Sequence, residues 1–357
     1  MEKKKGEHTL REIETQQEIW SDVISKVENR KEDLQSLFDG IERVVFTGCG
    51  SNYYMSLGAA MHFQQITGIQ ACGIPASELL LYPDVVLGMG ERQVVVSLCR
   101  SGETTEVVNA MHIAGSSYGL KSLYIGCSKQ STVSNMCTLS LVPPDVQEKS
   151  VVTTRSHTAM FLAVQVMCGL LGMNEKFPGD TYLRELRKLP PIGRKVISGF
   201  HETVERIPLN EYSHFVFLGS GPFYGIACES MLKMKEMALM PSDAFHSLEF
   251  RHGPKSILER AVLVTLFLSD TGSDLECDLI QEVKELGGSV VTVCEKAQEH
   301  VWRSSNFVFE TQGSVNEWAR SVLYLPFTQM LALRKALTRD IDVDAPRNLT
   351  YYVRLER

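Results

Sequence analysis

The chain has 357 residues, too many for one ordinary domain and enough for two that each bury a core. Its apolar share of 44% and charged share of 22% are those of an ordinary soluble globular protein. A formal net charge of −7 argues against a general nucleic-acid binder, which would show a basic patch, but not against a small anion held in a local cradle.

The N-terminus, MEKKKGEHTLREIE, has charges but no apolar stretch, so it does not read as a signal peptide. No apolar run approaches the roughly 18 residues of a spanning helix, so no membrane partner is expected. Nine scattered cysteines form no C-x-x-C pair, and their odd count fits a reducing compartment, giving an expected cytoplasmic location. Residues 9–37 space Leu10, Ile13, Ile19, Trp20, Val23, Ile24 and Val27 for one apolar helical face. Glu42-Arg-Val-Val-Phe-Thr-Gly-Cys-Gly-Ser-Asn52 follows, a β-branched run that ends in glycines and hydroxyls before a helical stretch. Val94-Val-Val-Ser-Leu-Cys-Arg-Ser-Gly-Glu-Thr104 and Ser122-Leu-Tyr-Ile-Gly-Cys-Ser128 repeat that grammar. Short apolar strands alternating with helices predict βαβ units and a parallel sheet.

The second half restates the first. Val44-Val-Phe-Thr-Gly-Cys-Gly-Ser-Asn-Tyr53 lines up with Phe215-Val-Phe-Leu-Gly-Ser-Gly-Pro-Phe-Tyr224. The Val262 run then takes the place of a second strand and the Val290 run that of a third. The expected organisation is a helical segment over residues 1–40, one α/β domain over 41–178, a linker with helix over 179–207, another α/β domain over 208–338 and a tail over 339–357. A last helix is expected over about residues 315–338. The fold class is α/β: two tandem domains, each a mostly parallel sheet flanked by helices in the flavodoxin-like, doubly wound manner.

Glycines and hydroxyls placed between a strand and a helix are how α/β proteins hold phosphate, because backbone N–H groups and the helix N-terminus both favour an anion. Residues 48–52, 99–105 and 151–156 meet that condition, within one predicted domain. Each alone also reads as an ordinary helix N-cap.

Ser101-Gly102-Glu103-Thr104 resembles the S-G-E-T loop of sugar-isomerase (SIS) domains, and the chain is similar to the isomerase half of glucosamine-6-phosphate synthase. The resemblance implies phosphate-binding hydroxyls at Ser101 and Thr104, with Ser51 and Asn52 in the first glycine loop and Val151 and Thr153 in the third segment. Cys99-Arg100 stands where synthases commonly have Ser-Gln; Arg100 either contacts phosphate or points to solvent.

In the second half, Glu229, Lys233 and Glu236 are spaced i, i+4, i+7 on one helical face, flanked by Met231, Leu232, Met234, Met237 and Ala238. A solvated salt-bridge face is the competing reading. His246, Glu249, Arg251 and His252 follow in a loop that ends His-Gly-Pro, with His246 read as a structural histidine beside Phe245. Aldose–ketose isomerisation needs a carboxylate to carry a proton between C1 and C2 and a second acid–base group for the ring or amine. The segment resembles the family's L-K-x-K-E … E-x-x-H-G-P block. That implies Glu236 as proton-transfer base, His252 as ring-opening group, Lys233 near the reacting oxygen and Glu229 in support. In the family this histidine reaches the partner subunit's site, which implies a homodimer sharing His252.

Asp342-Val-Asp-Ala-Pro-Arg-Asn-Leu349 resembles the family's D-x-D-x-P-R-N-L tail, which implies a tail over the active site. Tyr351 stands where the synthase has its imine-forming lysine. The chain opens with Met1-Glu-Lys and its first cysteine is Cys49, so the glutaminase nucleophile of the synthases is not expected. The reading is a glutamine-independent hexosamine 6-phosphate deaminase and aldose–ketose isomerase, with a small sugar phosphate as partner. A deglycase of a 6-phosphorylated sugar–amino acid adduct and a non-catalytic sugar-phosphate sensor are the alternatives. No cofactor is implied, and no His, Cys or carboxylate set falls at metal-ligand spacing.

Overall fold

The computed structural model describes residues 4–88, 90, 92–143 and 146–355. Contacts divide the chain into two compact units. The first is Glu18–Glu148, Arg155–Arg187 and Thr350–Arg357; the second is Met1–Gln17, Lys149–Thr154 and Lys188–Leu349.

The first unit holds a five-stranded sheet of β1 (Arg43–Gly48), β2 (Gln70–Pro75), β3 (Gln93–Leu98), β4 (Lys121–Ile125) and β5 (Leu139–Leu141), in the order β2-β1-β3-β4-β5. Every pairing is parallel, with Val45 of β1 flanked by Cys72 and Val95. β1 and β3 read as near-continuous β-branched runs because helices cover both faces of a parallel sheet. The helix Arg155–Leu171 is buried along almost its whole length, as a helix apolar all round must be.

The second unit repeats this plan with β6 (His214–Gly219), β7 (Ser242–Phe245), β8 (Val262–Phe267), β9 (Ser289–Cys294) and β10 (Phe307–Glu310). Its order, β10-β9-β8-β6-β7, is the same topology read from the other edge, and all its pairings are parallel. Its buried helix is Glu317–Thr338, which starts where Asn316 Oδ1 accepts the Ala319 N–H at 3.0 Å.

The doubly wound class stands, with one correction to the repeat. The Val262 run is the third strand of its domain and the Val290 run the fourth, because the edge strands β2 and β7 intervene. Residues 179–206 hold two helices, Gly179–Leu186 and Leu189–Arg206, and Pro190-Pro191 sit in the first turn of the latter. Proline is tolerated there because those N–H groups have no partner in the helix. The N-terminal segment is three α-helices, Glu7–Thr15, Trp20–Glu28 and Lys31–Phe38.

The first of these helices has no side-chain cap of its own and takes one from the tail. Asp344 accepts the N–H groups of His8 (3.0 Å) and Thr9 (2.9 Å) and the Thr9 hydroxyl (2.7 Å), and Asp342 accepts the Gly6 N–H at 2.9 Å. The two aspartates of the D-V-D motif thus satisfy amides that helix geometry leaves orphaned.

Candidate active site

In the first unit, β1 ends at Gly48 and the chain turns through Gly50 (φ +55°) into the helix Ser51–Thr67. Gly48 packs against the start of that helix, where an added Cβ would lie 2.8 Å from Asn52. Ser51 is buried at this turn. The neighbouring thiol of Cys49 is pushed up to about 12, first by burial and then by Glu106 and Cys99, so it stays neutral.

β3 ends at Leu98, and residues 99–104 lead into the helix Thr105–Ser116. Ser101 Oγ accepts the Glu103 N–H at 3.1 Å, and the buried Cys99 thiol lies 3.9 Å from Ser101 Oγ and 3.7 Å from Thr104 Oγ1. Gly102 has φ +68°, and a Cβ there would fall 2.0 Å from Ser131 Oγ, so only glycine is accommodated. The Gly102 carbonyl accepts the Val133 N–H at 3.1 Å, and Glu103 receives both the N–H (2.8 Å) and hydroxyl (2.9 Å) of Thr132, which fix the loop from the far side. The N–H groups of Ser101, Gly102 and Thr104 find no acceptor among the described residues. Unpaired amides in a loop with a buried glycine are costly unless something anionic meets them.

Arg100 does not point to solvent. Its side chain is 6% exposed and pairs at 3.0 Å with the fully buried Glu148, which also accepts the Ser156 N–H at 3.0 Å. Glu148 carries no sequence signal; it is found only through its partners.

Val151 and Thr153 lie in the short segment between Glu148 and the helix Arg155–Leu171. Residues Lys149–Thr154 belong to the second unit. There the Lys149 N–H donates to Glu12 at 2.6 Å, and Ser150 Oγ lies 2.9 Å from Thr9 Oγ1. These bonds tie the start of the segment to the N-terminal helix.

The carboxylate cluster is also in the second unit, on the helix Tyr224–Ala238, which stops at Leu239 in a left-handed conformation (φ 53°). Glu229 and Lys233 are fully buried, so the solvated-face reading does not hold. Lys233 Nζ lies 3.3 Å from Glu229 and also bonds Glu236, whose side chain is 20% exposed. Burial pushes Lys233 down, but Glu229 and Glu236 together outweigh it and hold the ammonium above its ordinary value. At neutral pH it is a cation between two carboxylates, and Glu236 is the member with an open edge.

His252 is not joined to this cluster by any hydrogen bond or ion pair among the described residues; its ring is exposed, and its N–H donates to the Glu249 carbonyl at 3.0 Å. His246 stacks on Tyr224 (ring centroids 3.6 Å apart), and burial pushes its imidazole down, against Glu249. A cavity of about 710 Å³ in the first unit, near Gly40, Ile41 and Gly172, opens at the amino end of β1, opposite the loops. Parallel sheets gather ligands at their carboxyl ends, so that cavity is set aside.

The loop after β8, equivalent to that after β3, differs sharply. Ser269 donates its N–H (2.7 Å) and Oγ–H (2.9 Å) to Glu276, while Glu317 accepts the N–H groups of Asp270 (2.8 Å) and Thr271 (3.4 Å). The Gly272 N–H goes to Ser269 Oγ at 2.9 Å. This loop's amides are filled by the chain's own oxygens.

The SIS domain family matches residues 37–168 and 209–338, one copy per sheet. The isomerizing glutamine–fructose-6-phosphate aminotransferase of Helicobacter pylori is 25% identical over 94% of this chain, and that of Treponema pallidum 28% over 90%. The chain spans about half the length of these relatives, 57% and 53% respectively. A glucosamine-6-phosphate deaminase structure from Thermotoga maritima superposes with a TM-score of 0.80 at 27% identity, covering 97% of this chain and 99% of that one. The tagatose-6-phosphate ketose/aldose isomerase of Escherichia coli shares the fold, with a TM-score of 0.84 at 21% identity over 95% of both chains. With one match on each five-stranded sheet, this chain belongs to the SIS domain family and carries two SIS domains in tandem, among relatives that are sugar-phosphate isomerases and deaminases.

Proposed function

We propose that the protein is an amino-sugar-phosphate deaminase and aldose–ketose isomerase acting on a hexosamine 6-phosphate without glutamine. The observation that carries this reading is the Glu229–Lys233–Glu236 cluster, which presents one carboxylate edge beside a buried ammonium. Glu236 takes the proton from C2 of the open-chain amino sugar and returns it to C1. The resulting C2 imine adds water and loses ammonia. Lys233, kept protonated by its two neighbours, stabilises the oxyanion that develops during transfer and is not an imine-forming nucleophile. Tyr351 brings no amine either. Ser51, Asn52, Ser101 and Thr104 hold the phosphate with the unpaired loop amides, and Cys99 braces the hydroxyls of Ser101 and Thr104. For Val151 and Thr153 only the family resemblance supports a contact. His252 opens the ring, and its exposed, unbonded side chain suits a residue lent to a partner subunit in a homodimer. The likeness to the T. maritima deaminase over nearly the whole chain supports the same chemistry.

The test is ammonia release from glucosamine 6-phosphate by purified protein without glutamine, run beside a fructosamine 6-phosphate adduct. Ammonia with a ketose 6-phosphate product is expected. Amino-acid release from the adduct alone would replace the reading with a deglycase, and binding of both without turnover would replace it with a sensor.

A further inference from the structure

An arginine beside an anion loop is expected to aim its charge at the anion, yet Arg100 is committed elsewhere. One guanidinium nitrogen bonds Glu148 at 3.0 Å, and another donates to the Tyr351 carbonyl at 3.0 Å. The Tyr351 ring covers the guanidinium carbon at 3.8 Å from its centroid. Beyond Tyr351 the tail runs along the same loop. The Val353 carbonyl accepts the Thr105 N–H (3.2 Å), and the Leu355 N–H donates to Thr105 Oγ1 (3.0 Å). Arg354 lies 3.7 Å from Glu103, but that pair is largely exposed and worth little. Residues 351, 353, 354 and 355 are exposed, so apolar burial does little to hold this strap.

We propose that Arg100 is a positioning residue. Neutralised by Glu148 and covered by Tyr351, it docks the C-terminal strap, residues 351–355, on the phosphate loop. The inference rests on the phosphate-site reading given above. Val353 takes the Thr105 amide, the one next to the unpaired Thr104 N–H, so the docked strap fixes the helix start from which the phosphate amides project. Arg100 therefore acts on substrate affinity through the loop and the strap, with no direct phosphate bond.

Hydrogen exchange of the unliganded full-length chain tests the docking, and KM and kcat for glucosamine 6-phosphate test its consequence. Arg100→Gln leaves Glu148 buried without its cation and can unfold the site, so Tyr351→Ala, which keeps the ion pair, is measured beside it. In Tyr351→Ala, exchange over residues 350–355 and at Thr105 should quicken about tenfold, the scale of a lost cation–π contact. KM should rise by a similar factor, with kcat within about twofold. Tyr351→Phe, which keeps ring and carbonyl, should restore both, and Arg100→Lys should fall between. Unchanged exchange in both Tyr351→Ala and Arg100→Gln would overturn the proposal, as would faster exchange with an unmoved KM. A wild-type chain that binds no sugar phosphate would instead overturn the functional reading, leaving the exchange to decide the docking.

Discussion

The loops after β3 and β8 occupy the same place in two copies of one fold, and their chemistry is opposite. In the first, the amides of Ser101, Gly102 and Thr104 have no acceptor among the described residues, while Ser131, Thr132 and Val133 brace the loop from behind. In the second, Glu276 and Glu317 take the amides of Ser269, Asp270 and Thr271. A carboxylate and a phosphate ask for the same donors, so an internal carboxylate closes an anion site as surely as a ligand fills one. Duplication supplied two cradles; the sequence keeps one open and spends the other on folding. The second copy instead carries an acid–base helix, with Lys233 buried between Glu229 and Glu236. The corresponding stretch of the first copy, Ser51–Thr67, has no acidic residue.

The largest effect should come from the acid–base helix. Glu236→Gln is expected to lower turnover by about a hundredfold or more while phosphate-ester binding persists, the usual scale for loss of a general base. Steady-state kinetics beside calorimetry would check it, and near-normal turnover would remove Glu236 from the mechanism. Next comes the loop itself. Gly102→Ala places a Cβ against Ser131 at positive φ, a strain of about 1–3 kcal/mol, so phosphate-ester affinity should fall by about tenfold or more. In the loop after β8, Gly272→Ala brings a Cβ to 2.9 Å from Ser269 Oγ and within 4 Å of the Glu276 side chain, and it should leave that affinity alone.

Much of the fold was legible. β1, β3, β4, β6, β8 and β9 announce themselves as apolar runs, with β1 and β6 ending in glycine. The edge strands β2, β5, β7 and β10 do not, being short or only half-buried. Missing β2 and β7 is what shifted the Val262 run from third place to second. At the site, spacing put Glu229, Lys233 and Glu236 on one face, but only packing tells a buried cluster from a solvated one. Glu148, Glu276 and Glu317 were invisible because a carboxylate's role is set by partners distant in sequence, as Glu148 is from Arg100. The D-V-D motif was seen, but a helix cap supplied from about 335 residues away leaves no local trace.

Two smaller effects sharpen the contrast. Glu317→Ala strips the acceptor from two amides of the closed loop and should cost about 1–3 kcal/mol of stability by denaturant titration, with sugar-phosphate binding intact. Asp344→Ala removes the N-terminal helix cap and should cost about 1 kcal/mol. Burial pushes the Asp344 carboxyl up, but hydrogen bonds from His8 and Thr9 outweigh it and hold the group below its ordinary 3.8. A depressed carboxyl contributes in full above that ordinary value and loses its contribution as pH falls through the lower folded one. The stability gap between wild type and Asp344→Ala should therefore close in acid, which thermal melts across that range would show.

The most direct measurement is calorimetric titration of glucosamine 6-phosphate into the full chain and two paired variants, Ser101→Ala with Thr104→Ala and Ser269→Ala with Thr271→Ala. One site per chain is predicted for the wild type, weakened about tenfold or more by the first pair and unmoved by the second. Two sites per chain, or a loss that follows Ser269 and Thr271, would contradict the division of labour between the two domains.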